Sequence, residues 1–375
     1  MRFTINREEL LKGLLIASRA VAAKTAVPVL SNLKIELNDK GLFITGSNYD
    51  LTIQTLVPYK VGETEIIRNY KEGAVLVNSR IISDIARKME SEELVFEVID
   101  STIATISDNR SEYKLQCIRA EEYPDLDLEI DGTEVTLTRD QFSSMVNKTA
   151  FAASTKEQRL ILTSLNLEAA AGSLIATATD AARMARKEIK IPEGINFIAN
   201  IPARMIVEID HLLEGVDSVN IAVSDKKALF SFDRTVVATR LVAGDYPNTK
   251  NIIPHVTNYT LQIKANELLK AIDRANILSS ERENVVELSL NSDEVELMAK
   301  SNQVGSAREK IETFQFEGEP LKISFNSEFV MAAVKALDSE DVVFLFVGEM
   351  KAFVIKNASD DSVIQIVTPV RTYYW

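Results

Sequence analysis

The sequence predicts an α+β protein of three similar domains, each with two helices packed on antiparallel sheets. Three repeated features carry this expectation, and repeats are sought first because missing one misassigns the whole fold. A short alternating strand followed by a helical pattern occurs at MRFTINREELLKGLLIASRAV from Met1, EVTLTRDQFSSMVNKTAFAA from Glu134 and NYTLQIKANELLKAIDRANIL from Asn258. A second helix, with an apolar lead-in and a small or polar first turn, recurs as VNSRIISDIARKM from Val77, IPARMIVEIDHLL from Ile201 and FNSEFVMAAVKAL from Phe325. Those starts are spaced by 124 and 124 residues, and Tyr123-Pro124 and Tyr246-Pro247 repeat at a spacing of 123.

Between the helices lie strand patterns: LVFEVID from Leu94, VNIAVSD from Val219, ALFSF from Ala228 and the long run VVFLFVGEMKAFVIKN from Val342. Asp, Asn, Gly and Ser turns separate them. Sheets with this much alternation need a cover on one face, and two helices per repeat supply it. Linkers are expected at DLDLEIDG (residues 125–132) and KNIIPHVTN (residues 250–258), which divides the chain into domains 1–128, 129–253 and 254–375.

The composition narrows the class. With 375 residues, 46% of them hydrophobic, and a mean hydropathy near zero, the chain can bury real cores. No signal peptide and no stretch of eighteen uncharged apolar residues is visible, so the cytoplasm is the expected compartment. A single cysteine, Cys117, cannot form an internal disulfide, and two histidines, His211 and His255, cannot supply the usual zinc constellations. The net charge of −13 argues against a protein that grips nucleic acid over its whole surface.

The basic residues are nevertheless segregated. On the first helix, with Leu10 at zero, Leu14 and Val21 fall at about 40° and 20°, whereas Lys12 and Arg19 fall at about 200° and 180°. In the third repeat Leu268 and Ile272 define the apolar side, and Lys270 and Arg274 fall at roughly 200° and 240°. Lys148 occupies a comparable place in the second repeat, with Lys156 and Arg159 just beyond. Residues 7–24 and 139–159 each carry four basic and two acidic side chains. The helix from Ile201 breaks the pattern, setting Arg204 against Glu208, Asp210 and Glu214. No helix-turn-helix, zinc finger or aromatic strand platform is present, so these cations would give weak, salt-sensitive, sequence-blind contact with DNA.

Motifs of nucleotide-binding loops, zinc proteases and serine hydrolases are absent from the sequence. Asp39, Asp50, Asp100 and Asp108 read as turn residues that bond the local backbone. Cys117, in the alternating segment KLQCIRA, reads as a core or interface filler. No catalytic residue, metal site or cofactor is assigned.

MRFTINREELLKGL at the start, TAVPVLSNLKIEL from Thr25, ATDAARMA from Ala178, RLVAGDYPNTKNIIP from Arg240 and VTPVRTYYW at the end together resemble the bacterial polymerase III beta clamp family. The similarity runs across the whole chain. It implies the DNA clamp fold and a head-to-tail homodimer, a six-domain ring with helices lining the hole and sheets outside. It also implies a non-enzymatic processivity factor, whose partners are duplex DNA, the replicative polymerase, the clamp loader and repair proteins with short linear motifs. An acidic outside and a basic inside would reconcile the net charge with sliding.

The residues expected near DNA are Lys12, Arg19, Lys24, Arg80, Lys148, Arg159, Arg204, Lys270 and Arg274, of which Lys24 and Arg204 also match DNA-facing positions of the family. The peptide pocket and the subunit contact are carried over position by position from the resemblance. The pocket for partner peptides comprises Leu162, Thr179, Arg183, Met184, Pro247, Ile252, Ile366, Pro369, Val370 and Arg371. Tyr113 and Leu115, on a first-domain edge strand, would face Ile277 and Leu278 across the subunit interface.

Three departures from the family pattern stand out. Ala181-Ala182 replaces a frequent Gly-His, Leu160 and Ile161 replace tyrosines, and the chain ends in Thr372-Tyr373-Tyr374-Trp375, an aromatic tail expected to cover the peptide pocket. Two other readings compete: an acidic β-rich interaction scaffold that does not encircle DNA, and a hydrolase with an unrecognised carboxylate site.

Overall fold

The structure is a computed structural model, and its described residues are all except 23, 101, 255, 280–283, 302 and 372–375. Among them are six α-helices: α1 (Arg7–Ser18), α2 (Ser79–Lys88), α3 (Arg139–Thr149), α4 (Ala203–Leu212), α5 (Ala265–Asn276) and α6 (Ser327–Leu337). All assigned strand pairs are antiparallel. The helices begin where the repeat places them, each immediately after a strand. The chain forms two compact units, Met1–Arg139 with Glu208–Leu241, and Asp140–Val207 with Val242–Trp375.

In the first unit a thirteen-stranded sheet carries the strands of the first repeat, apart from the two-stranded pair Lys60–Val61 and Thr64–Glu65, and then Thr235–Arg240, Lys227–Phe232, Ser218–Val223 and Thr133–Thr138 of the second. The join is the pairing of Thr235–Arg240 with Leu51–Val57, where the hydroxyls of Thr235 and Thr55 lie 3.0 Å apart and buried. Helix α1 is capped by Asn6, whose side chain accepts from the N–H groups of Glu8 and Glu9, and both glutamates sit in the first turn, where the helix dipole favours negative charge. Its buried face is Leu10, Gly13, Leu14 and Ala17. A Cβ at Gly13 would come within 2.9 Å of Ile44 and 3.0 Å of Val57, so glycine sets how closely the helix lies on the sheet. Helices α1 and α2 meet through small polar residues, with the Ser18 and Ser79 hydroxyls 2.8 Å apart.

The second unit holds a nine-stranded sheet and a four-stranded sheet. The nine-stranded sheet runs from Phe197–Pro202 through Ser164–Ala170, Ser173–Thr179 and Arg183–Lys190 to Val363–Val367, and on through strands of the third repeat. The middle repeat therefore contributes strands to both units. Equivalent cap positions show the repeat at the level of single residues. Asn78 and Asn326 end their strands, and their side chains accept from Ile81 and Phe329 N–H, capping α2 and α6. Asn78 pairs with Asn32, and Asn326 with Val285. The middle repeat has Pro202 at that place, paired with Ser164, and proline is tolerated there because a helix start has free N–H groups anyway.

Several expectations change in detail. The run from Val342 is two strands, Asp341–Phe346 and Phe353–Asn357, not one. Asp100 and Asp108 do accept turn bonds from backbone N–H groups two and three residues ahead. At the other two turns the acceptors are Asn38 and Asn48 instead of Asp39 and Asp50, since only the residue opening the turn can reach the N–H groups ahead of it. Cys117 is buried in the first-unit core, and burial pushes its thiol pKa up. His255 and the tail at 373–375 lie outside the described residues.

Candidate functional site

In the first unit Lys12, Arg19, Lys24 and Arg80 are all exposed. Lys12 has no ion-pair partner among the described residues. Arg19, at the end of α1, pairs with Glu208 of α4 at 2.5 Å, and Arg80 is loosely bridged to Asp84 at 3.8 Å. In the second unit Arg159, Arg204, Lys270 and Arg274 are exposed and Lys148 is half-buried. Arg274 is not free, because its guanidinium donates twice to one carboxylate oxygen of Glu309, at 2.9 and 2.6 Å. Leu160 is 60% exposed, beside the half-buried Ile161.

The pocket residues lie on one sheet of the second unit and the segments around it. Thr179 pairs with Met184 across neighbouring strands, and Met184 pairs with Ile366 across the next. Met184, Ile366 and Val354 form a small apolar cluster of their own, flanked by Ile253, Leu345, Ala352 and Ile364. Ile253, not its neighbour Ile252, packs there; Ile252 is 43% exposed. Leu162 is buried, Pro369 and Val370 are half-buried, and Pro247 and Arg371 are exposed.

The turn that begins at Thr179 is tightly specified. The Asp180 carboxylate accepts from the N–H groups of Ala182 and Arg183 and, at 3.0 Å, from the Arg183 guanidinium. Ala181 takes φ of +77°, a conformation in which glycine would relieve strain. The carbonyl of Ala182 accepts from Thr368 N–H at 2.9 Å and also from its hydroxyl. The chain then runs on to Val370, whose N–H donates to Ser324 O at 2.8 Å.

Arg183 lies between two aromatic rings, its guanidinium carbon 4.5 Å from the Phe329 centroid and 5.6 Å from that of Phe151. Neither ring was picked out from the sequence, because each belongs to a helical segment distant from residue 183. Tyr246 was visible only as half of the repeated Tyr-Pro. Its hydroxyl accepts from Thr179 N–H at 3.0 Å, and burial raises its pKa to about 12, so it stays protonated across the working range.

The strand that carries Tyr113 and Leu115 is not an edge along its length. Cys117–Arg119 pair with the distant strand Gly73–Asn78, whereas the stretch from Glu112 to Gln116 pairs with Ile103–Ser107. Leu115 is a core residue, whereas Tyr113 is 41% exposed. Ile277, just past α5, is 77% exposed and Leu278 half-buried. The strand Gly305–Ile311 lies at the edge of the four-stranded sheet.

Among the described residues no group of three or more His, Cys, Asp or Glu side chains is placed to hold a metal ion. Each repeat supplies two helices, each led by a strand, and this threefold strand-to-helix arrangement is shared with the DNA clamp class of protein. Sequence models of the DNA polymerase III beta subunit match in order: the N-terminal domain at 1–127, the central domain at 136–248 and the C-terminal domain at 250–371. The chain is 32% identical to the beta sliding clamp of Bacillus subtilis and 31% identical to that of Staphylococcus aureus, over the full length of each. It superposes on the crystal structure of the Bacillus subtilis clamp with a TM-score of 0.96, covering all of both chains. A Bartonella birtlesii clamp solved with griselimycin bound aligns at 26% identity and a TM-score of 0.93, over 99% of this chain and all of that one. The chain belongs to the DNA polymerase III beta subunit family, the beta sliding clamps.

Proposed function

We infer that this chain closes, as a head-to-tail homodimer, into a ring around duplex DNA and tethers the replicative polymerase and other partners there. The observation that carries this is the match of all three beta-subunit domains, in order, across residues 1–371. The protein is a sliding clamp, not an enzyme. It needs no cofactor of its own, and ATP is spent by the clamp loader. Domains 1–128, 129–253 and 254–375 each supply one helix pair to the ring. The cytoplasm is its compartment; among the described residues no helix is long and apolar enough to cross a membrane.

Lys12, Arg19, Lys24, Arg80, Lys148, Arg159, Arg204, Lys270 and Arg274 face the DNA in this reading. Scattered cations without base contacts hold phosphates loosely and independently of sequence, and each phosphate neutralised adds about one to the salt slope. Ring closure supplies the retention that such contacts lack. The subunit contact joins the Tyr113 end of the first domain's strand to Ile277 and Leu278 of the partner copy.

Partner peptides enter the cleft built around Thr179, Met184 and Ile366, with Arg183, Leu162, Pro247, Ile252, Pro369, Val370 and Arg371 around it. An apolar floor with few polar anchors suits a short linear motif. The decisive test loads the protein onto nicked circular DNA with a clamp loader and ATP, then linearises the circle. A clamp is retained on circles and lost from linear DNA; equal retention on both would refute encirclement.

A further inference from the structure

The face of the sheet that carries Thr179 and Met184 also carries a second concavity, of about 270 Å³, beside them. Its floor is the next rung of the sheet. Thr177 pairs with Arg186 on one side and with Asn166 on the other, and Asn166 pairs with Asn200. Side chains alternate between faces, so this rung stands about 7 Å from the Thr179–Met184 rung, on the same side of the sheet. The segment Gly244–Lys250 walls the groove, with Pro247 in its lining. Tyr246 anchors that wall through its bond to Thr179 N–H. Pro247, which the pocket reading also uses, is thus common to both hollows.

The polar groups on the floor have a defined polarity. The Gly244 carbonyl can only accept, so Asn200 must present its amide nitrogen to it, at 3.0 Å. The Asn200 amide oxygen then accepts from the Asn166 nitrogen at 2.9 Å. That leaves the oxygen of Asn166 as an acceptor without a partner among the described residues. The Thr177 hydroxyl is likewise without a protein partner among them. Both side chains are more than nine-tenths buried and line the groove. Of the charged side chains that line it, Arg186 is paired with Glu188 at 3.0 Å and Lys250 with Glu168 at 3.1 Å, while Asp245, on the exposed wall segment, has no ion pair among the described residues. An anion would have to break those pairs and would meet the Asp245 carboxylate, and a cation would be drawn to Asp245 on the exposed wall; the buried floor groups, Asn166 and Thr177, instead suit a neutral group with one donor and one acceptor. A peptide bond is such a group, and the volume falls just below the roughly 300–1,000 Å³ usual for pockets that take drug-sized ligands.

We propose that this groove takes the main chain of the partner segment that leaves the apolar cleft past Pro247, with Asn166 accepting from a peptide N–H and Thr177 bonding a peptide carbonyl. Reading backbone instead of side chains, it extends the contact without restricting the flanking sequence. The proposal rests on the peptide-cleft reading above.

The test titrates the full-length dimer with a fluorescein-labelled clamp-binding segment of the replicative polymerase, cut at its apolar motif, and with the same segment extended by Ser-Gly-Ser at one end or the other. One of the two extensions should tighten binding by about three- to tenfold, the range of one net hydrogen bond. The gain should vanish on N-methylation of the extension's amides, and in Thr177→Val and Asn166→Leu, while the cut segment keeps its affinity. Thr177→Val keeps the side chain's shape and serves if Asn166→Leu fails to fold. No gain from either extension, or a gain that survives N-methylation and Thr177→Val, overturns the proposal. A cut segment that fails to bind, or that griselimycin does not displace, refutes the cleft reading itself and the groove with it.

Discussion

Met184 lies directly across from Ile366 in the antiparallel pairing of Arg183–Lys190 with Val363–Val367, and both side chains are 2% exposed. The floor of the cleft is therefore also the seam between strands of the second and third repeats. Ile366→Ala should cost about 2 kcal/mol of stability, the low end for buried aliphatic truncation, because a cluster of three buried residues relaxes more easily than a full core. The same variant should weaken peptide binding, and denaturant unfolding alongside peptide titration checks both. Loss of stability with unaltered peptide affinity would make the pair a purely structural seam.

Arg183 is held by its planar group, between two phenyl rings and against Asp180. Lysine keeps the charge but loses the stacking and the fixed fork. Arg183→Lys should reduce peptide affinity by about 0.5–2 kcal/mol, the range of a partly desolvated cation–π contact. Fluorescence polarisation with a labelled partner peptide reads this directly, and circular dichroism should show an unchanged fold.

The ion pairs rank the cations proposed to face DNA. Arg19 and Arg274 are each engaged by a glutamate, and Lys12 is not. Lys12→Glu should therefore reduce loader-dependent polymerase stimulation more than Arg274→Glu does. With so exposed a side chain, its effect on folding should stay within about 0.5 kcal/mol. Processive synthesis at several salt concentrations, with thermal unfolding as the control, separates the two variants.

Ile277 offers an exposed aliphatic side chain just past α5. Ile277→Asp should yield folded monomers, since a carboxylate buried at a subunit contact without a partner is strongly unfavourable. Sedimentation of the variant and the parent at micromolar concentration decides it; a variant that stays dimeric would move the interface elsewhere.

Glu287 is 4% exposed, and one of its carboxylate oxygens is buried without a hydrogen bond among the described residues. Burial raises its pKa, Lys322 lowers it, and Glu349 raises it further, for a net upward shift. A carboxyl whose folded pKa lies above its unfolded value binds its proton more tightly when folded, so stability falls as pH rises from the unfolded to the folded pKa. Glu287→Gln should accordingly be more stable than the parent at neutral pH, by about 1 kcal/mol, and the difference should shrink towards the acid side. Unfolding midpoints at pH 4.5, 6 and 7.5 test the sign.

The helices were legible because their apolar period and their caps are local. Asn6, Asn78 and Asn326 mark helix starts within three residues of the N–H groups they satisfy. The three repeats followed from the same local signals recurring at fixed spacing. The cleft was not legible in this way. Its residues were assigned from a family resemblance, and the two rings around Arg183 lie 32 residues before it and 146 after it. Nothing in periodicity links such positions.

The sequence alone determined where the helices start and that one unit occurs three times, because each depends on neighbours within a few residues. Tertiary structure decided that Cys117–Arg119 pair with Gly73–Asn78 while the Tyr113 half of the same strand pairs with Ile103–Ser107. It also set Met184 against Ile366 and left the Asn166 amide oxygen an acceptor without a partner among the described residues. Strand pairing joins segments far apart in the chain, and a slip of one residue reverses every side chain's face; register is therefore fixed only when the whole sheet packs.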